Sequence, residues 1–342
     1  MKSVNLYREQ ELAFRTQYAE LKERTLAAGG LLPGTPGSLA LRSGTGSAYW
    51  YRVYYPVPGK AAEDFVCKNG DAAALAGMRG RMAFSEWAGT QVAALRRLGF
   101  QAADKKTARV LVELHNRRAF DAGMILTGSL AYMSWLNELG AIAVAARTED
   151  VDLARRQRLK LDAPLPFFSA MRATGLPFSA VPGMPSTKAP TSVKLTGAQG
   201  LRVDVLAPGN VLGGTVSIPE LEWSAQTVPF YDYLLAAPEP GAVLAGGHCI
   251  PVTLPQAARL VWHKLYASTR RRGFPEKAAK DQQQALVLGA VLADAEFSAL
   301  KRAFKDAPAA MTNPVRPLVR KLAARAQPHP ALLDALRECL GE

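Results

Sequence analysis

Cysteine is nearly missing from this chain, with three in 342 residues, at positions 67, 249 and 339, and no C-x-x-C pair. So sparse and odd a set excludes a disulfide framework and a zinc ribbon. Histidine is almost as scarce. His115, His248, His263 and His329 show no ligand spacing, so each reads as a solvated or core residue, and hydrolases built on histidine-held metals lose their support. No serine sits in a G-x-S-x-G elbow, which removes the hydrolase triad. The Walker lysine motif and the spaced dinucleotide glycines are missing as well. No apolar run approaches the roughly eighteen residues of a membrane span. The opening "MKSVNLYREQELAF" has no apolar signal-peptide core. These absences set the expectation of a cytoplasmic protein that does not enter the membrane.

Acidic residues are also in short supply. Asp and Glu number 29 against 42 Lys and Arg, a formal net charge of +13 and a pI near 9.8. Such a field favours polyanions: nucleic acid, nucleotides or an anionic surface. The excess is concentrated late, since Pro255 to Gln327 holds fourteen Lys or Arg and five Asp or Glu. Hydrophobic content of 49% and charged content of 21% are ordinary for a globular chain. The length suits one large domain with additions or two to three smaller ones. No repeat of fixed period is present.

Residues 5–28 read as a helix. "GGLLPGTPGSLALRSGTGS" then reads as loop or turn, and aromatic and β-branched residues around a Pro-Gly turn predict a β-hairpin over 48–68. Helices are expected at 71–98 and 106–121. From Gly123 to Pro208, short apolar runs ("MILT", "AIAVAA", "VDLA", "SVKLT", "LRVDVLA") alternate with helix-like pieces at 130–139 and 165–174, the pattern of a mixed sheet. Residues 176–191 are loop-like. Beyond Pro255 the chain reads as helices, at about 255–273, 276–291, 293–305, 313–326 and 329–339. The whole is an α+β chain in three parts: 1–105, a helix plus hairpin; 106–254, a mixed-sheet core with flanking helices; and 255–342, a basic helical region.

Chemistry concentrates in the middle part. In an extended segment Asp150 and Asp152 point one way while Val151 points into the core. Two neighbouring carboxylates repel, and a hard divalent cation resolves that repulsion. In "LRVDVLAP", Asp204 stands opposite Val203 and Val205. If its strand lies beside that of Asp150 and Asp152, three carboxylates converge and suffice for two metal ions. Upstream, "MILTGSLAY" carries an apolar strand into Gly128-Ser129 and a helix. Glycine lets a phosphate approach the backbone, and the helix start offers free N–H donors. A second "GSL" at Gly37 follows no apolar strand and has no matching D-x-D. The aromatic run Tyr49–Tyr55, with Trp50, either stacks bases or packs the hairpin on a helix.

The series G-S, then D-x-D, then a later acid resembles the nucleotidyltransferase superfamily typified by DNA polymerase beta. "GSLAY" and "TEDVDLA" are similar to a bacterial branch of that fold with a longer gap between the halves; here twenty residues separate Ser129 from Asp150. The resemblance covers roughly 106–210. It implies a nucleotidyltransferase-like mixed sheet, with Gly128 and Ser129 on the triphosphate of an NTP. It also implies Mg²⁺ or Mn²⁺ on Asp150, Asp152 and Asp204. "ARLVWHKLYASTRRRGFPEKAAKDQQQALVL" looks like the helical segment of abortive-infection nucleotidyltransferase toxins, which implies nucleotide-binding roles for Lys264 and Lys280 and a toxin–antitoxin or defence setting. The basic C-terminal part favours RNA, a tRNA end in particular, as acceptor, with a protein side chain or a small alcohol or amine as alternatives. An inactive nucleic-acid-binding relative is the second reading, and hydrolysis the last.

Overall fold

A computed structural model describes residues 5–44, 46–57, 59–144, 148–197, 200–271 and 273–342. The N-terminal part comprises β1 (Arg8–Glu9), α1 (Leu12–Ala28), β2 (Ser38–Gly44), β3 (Ser47–Val57), β4 (Lys60–Lys68) and α2 (Ala72–Arg97). Two expectations change here. The first helix begins at Leu12 rather than residue 5, because Arg8 and Glu9 pair with Ile142 and Ala141 and Leu6 N–H donates to His329. The glycine- and proline-rich stretch is not all loop, since Ser38–Gly44 forms a third strand beside the expected hairpin. Its glycines mark close backbone approach: a Cβ on Gly37 (φ +83°) would lie 2.4 Å from Val53 O, and one on Gly34 (φ +73°) 2.8 Å from Tyr55 O.

The middle part runs β5 (Ala102–Ala103), α3 (Lys105–Asn116), β6 (Met124–Leu126), α4 (Gly128–Glu138), β7 (Ala141–Ile142), β8 (Asp150–Arg155), α5 (Phe167–Ala173), β9 (Phe178–Ala180), β10 (Ser192–Leu195), β11 (Arg202–Pro208), β12 (Thr215–Ile218), β13 (Trp223–Val228), α6 (Tyr231–Leu234), β14 (Glu239–Ala245) and β15 (His248–Leu254). The stretch "AIAVAA" forms strand only at Ala141–Ile142, and its residues 145 and 146 lie outside the described residues. Strand β9 interrupts the loop expected over 176–191.

Seven strands make the central mixed sheet. β11 is its hub, parallel to β8 on one side and antiparallel to β10 and then parallel to β13 on the other. β6 pairs antiparallel with β8, β12 with β13 and β9 with β10. The sheet's inward side chains are aliphatic and sealed: Val151, Leu153, Val193 and Val203 have no exposed surface. The β14–β15 hairpin divides its two faces between cores. Val243, Ile250, Val252 and Leu254 join the main one, while Ala242, Leu244 and Cys249 pack against Tyr18, Leu21, Val92 and Leu95 of α1 and α2.

Five helices complete the chain: α7 (Ala257–Arg270), α8 (Pro275–Ala295), α9 (Phe297–Lys305), α10 (Ala309–Ala326) and α11 (Pro330–Leu340). Their apolar stripes, including Trp262, Leu265, Leu288, Val315 and Leu336, share the main core with the central sheet. The fold is α+β. No helix among the described residues is long and apolar enough to cross a membrane.

Candidate active site

The site grows from the short strand β6, whose three residues are all buried. Thr127 N–H continues its pairing by donating to Asp152 O at 2.8 Å. The chain then turns through Gly128, in the left-handed region at φ +68°, straight into α4. A Cβ at this position would lie 1.9 Å from Asp152 Oδ2. Glycine is therefore required twice, for its backbone angle and for the carboxylate pressed against it.

β8 and β11 bring the acids together. Their parallel register sets Asp152 beside Asp204 and Asp150 beside Arg202. Val151 and Val203, one residue along, face the core with no exposed surface, so the pleat places all four polar side chains on the opposite face. Arg202 holds Asp204 by Nε to Oδ1 at 2.8 Å and donates to Ser192 Oγ at 2.9 Å. The clustering has an electrostatic signature. Asp152 is pushed up to about 7, by burial first and then by Asp204 and Asp150, with Lys264 and Arg271 opposing. Burial also raises Asp204, against the pull of Arg202. By exposed area Asp152 is half-buried and Asp150 exposed.

α7 and α8 supply the facing wall. Lys264 is buried, its Nζ 3.4 Å from Asp281 Oδ1, and Arg271 Nε lies 3.0 Å from Asp281 Oδ2. Burial lowers the Lys264 pKa, against the fields of Asp281 and Asp152. Lys280, half-buried one position before Asp281, adds a smaller lowering field on Lys264. Gln284, one turn further on, donates to Ser129 Oγ at 3.4 Å, while its buried Oε1 has no hydrogen-bond partner among the described residues. Tyr231, at the start of α6, is buried with its hydroxyl hydrogen-bonded to Thr127, and its pKa is raised by burial and by Asp152.

Gly128, Asp150, Asp152 and Asp204 thus share one end of β8 and β11. Lys264 reaches Asp152 through its field, and Ser129 meets α8 through Gln284. Sequence reasoning passed over Arg202, Ser192 and Tyr231. Arg202 was legible, since it alternates with Asp204 on the same strand face, whereas nothing near Tyr231 announces its place. Three arginines follow one another at 270–272: Arg270 ends α7 exposed, Arg271 grips Asp281, and Arg272 lies outside the described residues. All four histidines engage backbone: His115 with Gly29 O, His248 with Leu32 O, His263 with Pro229 O and His329 with Leu6 N–H. Burial pushes His263 down to about 4.

The donors suit a hard cation in kind, being carboxylate oxygens held side by side against their repulsion. Their present arrangement is not a finished ligand shell. Among the described residues no three His, Cys, Asp or Glu side chains are grouped to hold a metal, and Asp204 is turned onto Arg202.

A family model described as Nucleotidyltransferase matches residues 105–309, from the first residue of α3 to the first of α10, which includes every residue of this site. No curated protein and no solved structure matches the chain significantly.

Proposed function

The chain belongs to the nucleotidyltransferase family, so nucleotidyl transfer from an NTP is its general chemistry, and from that premise we propose the particulars. The acceptor is a hydroxyl of RNA, with tRNA ends the favoured class, and the reaction depends on Mg²⁺ or Mn²⁺. One observation carries this reading: Asp152 and Asp204 stand side by side in register, with Gly128 against Asp152 and no room for a side chain between them.

Gly128 and the start of α4 receive the triphosphate, whose oxygens accept from free backbone N–H groups, and the Ser129 hydroxyl adds a donor. Lys264 and Lys280 offset its charge from the helical wall. Asp150, Asp152 and Asp204 would hold the divalent ions, which would supply charge neutralisation at the triphosphate and at the acceptor oxygen. Asp204, now paired with Arg202, would have to turn from it to serve as a ligand. The acceptor oxygen attacks the α-phosphorus, a P–O bond forms, the bond to the β-phosphate oxygen breaks, and pyrophosphate leaves. Asp204 takes up the proton of the acceptor hydroxyl. The buried surroundings of Asp152 strengthen each of these electrostatic contacts.

The test incubates the protein with Mg²⁺ or Mn²⁺, each α-labelled NTP in turn and total bacterial RNA, beside an Asp150→Ala, Asp152→Ala variant. Label on RNA with the parent chain alone is the expected result. Label on the protein itself, lost in the variant, would replace RNA by a protein acceptor. Failure of both transfer and metal-dependent NTP binding would overturn the catalytic reading in favour of a nucleic-acid-binding protein.

A further inference from the structure

The sheet β2–β3–β4 lies outside the segment that the family model matches, and its two faces are built for different neighbours. One is sealed. Arg52 has no exposed surface and donates to the carbonyls of Pro33, Thr35 and Pro36 and to Asp64. Its guanidinium lies 3.9 Å from the Tyr54 ring, and Cys67, opposite Trp50 on the neighbouring strand, is buried. The far end of β3 is tied to the α/β core through Arg109 of α3, which donates to Pro56 O and Thr174 O. The sheet is therefore a fixed part of the molecule.

The other face is open and aromatic. The register sets Arg42, Tyr49 and Lys68 in one row across the three strands, and Ala40, Tyr51 and Phe65 in the next. The Phe65 ring centroid is 6.0 Å from that of Tyr49 and 5.8 Å from that of Tyr51. Phe65 is 59% exposed, Tyr49 and Tyr51 are half-buried, and Arg42 and Lys68 are exposed. An exposed ring meeting two half-buried ones, on the open face of a sheet anchored from behind, is a binding feature rather than a packing one. Their surroundings select the ligand. A cation stands on each side of Tyr49, and Glu63, which pairs with Val53 on this same face, is engaged by Arg42 at 2.5 Å. That exposed pair is weak enough to open to a phosphate. Aromatic rings between cations on a strongly basic chain suit stacked bases joined by phosphates.

We propose that this face binds the single-stranded portion of an RNA acceptor, with Tyr49, Tyr51 and Phe65 stacking on successive bases and Arg42 and Lys68 on the flanking phosphates. The proposal rests on RNA being the acceptor and adds where it docks. Ring stacking is indifferent to base identity because every base has a π-face, so the platform positions RNA without reading its sequence.

The full chain is titrated into a fluorescein-labelled single-stranded oligoribonucleotide at several salt concentrations and followed by anisotropy. The Tyr49→Ala, Tyr51→Ala, Phe65→Ala triple variant is expected to bind at least about tenfold more weakly, since each lost stack is worth roughly that factor. Its salt dependence and its binding of labelled NTP stay as in the parent. A Tyr51→Phe, Phe65→Tyr variant, which keeps the rings, retains parental affinity. Arg42→Gln with Lys68→Gln flattens the salt slope by about 1.4, for two phosphates released. A triple variant that binds RNA as tightly as the parent overturns the platform, even if the parent labels RNA. A parent chain that binds no single-stranded RNA at low salt overturns it too, whatever its NTP chemistry. If RNA binds through the rings while no nucleotide is transferred, the platform stands and only the catalytic reading falls.

Discussion

Single atoms decide the site's tolerance to change. A methyl group at position 128 meets Asp152 Oδ2 at 1.9 Å and must be carried at φ +68°. Gly128→Ala is expected to destabilise the fold by roughly 1–3 kcal/mol and to abolish metal-dependent NTP binding, as measured by denaturant unfolding and nucleotide titration. Asp152 carries a different cost. Its carboxyl sits at about 7 in the folded chain against an ordinary 3.8. Between those values the native state holds the extra proton. The group's contribution is therefore favourable at low pH and is lost as pH rises toward 7. In metal-free buffer at pH 8, Asp152→Asn should be more stable than the parent by roughly 2 kcal/mol or more, with that gain fading as pH falls to 4. Urea titrations across the range check both. The same variant should be inactive, which would mark the carboxylate cluster as stability given up for function.

Between elements, the pairing of α7 with α8 carries most of the risk. Lys264 and Asp281 are both buried, and Arg271 shares Asp281. Removing one member strands a charge: Asp281→Asn is expected to cost roughly 3–5 kcal/mol, read as a fall in the urea midpoint. Adding Lys264→Met to it should return much of that loss, because the stranded ammonium is gone. No recovery in the double variant would mean that Asp281 acts through Arg271 and the end of α7 instead. The strands, by contrast, are held by packing. Val151 and Val203 anchor β8 and β11 from below, so the acids above them stay in register although their charges repel.

At the scale of the molecule, charge sets how the proposed RNA acceptor would be met. With +13 in total, and an excess concentrated in the helices beyond Pro255, association with RNA should weaken steeply with salt. The expected slope of log K against log salt is about −0.7 for each phosphate neutralised on a single strand. An uncharged small acceptor would show almost none. Charge reversal at the exposed Arg320, Lys321 and Arg325 of α10 should flatten the slope if that face contributes, and anisotropy at several salt concentrations measures it.

Much of this was legible from local pattern. The alternation in "DVDLA" and "LRVDVLA" placed the valines inside and the acids outside, because side-chain period on a strand is a property of the strand alone. The hairpin around Pro-Gly, α3, α4 and the C-terminal helices followed for the same reason. Tertiary structure decided the rest. Only the parallel pairing of β8 with β11 puts Asp204 beside Asp152, and strand partners and register depend on residues far apart in the chain. The sequence reads Gly128 as a place where a phosphate can approach the backbone, and only the fold sets Asp152 against it. Ser38–Gly44 looked like loop because its flanking glycines report close packing on β3, a contact no neighbouring residue encodes. Lys264 on Asp281 and the aromatic face between Arg42 and Lys68 belong to this second kind. Periodicity says which way a side chain points, and folding alone says what it meets.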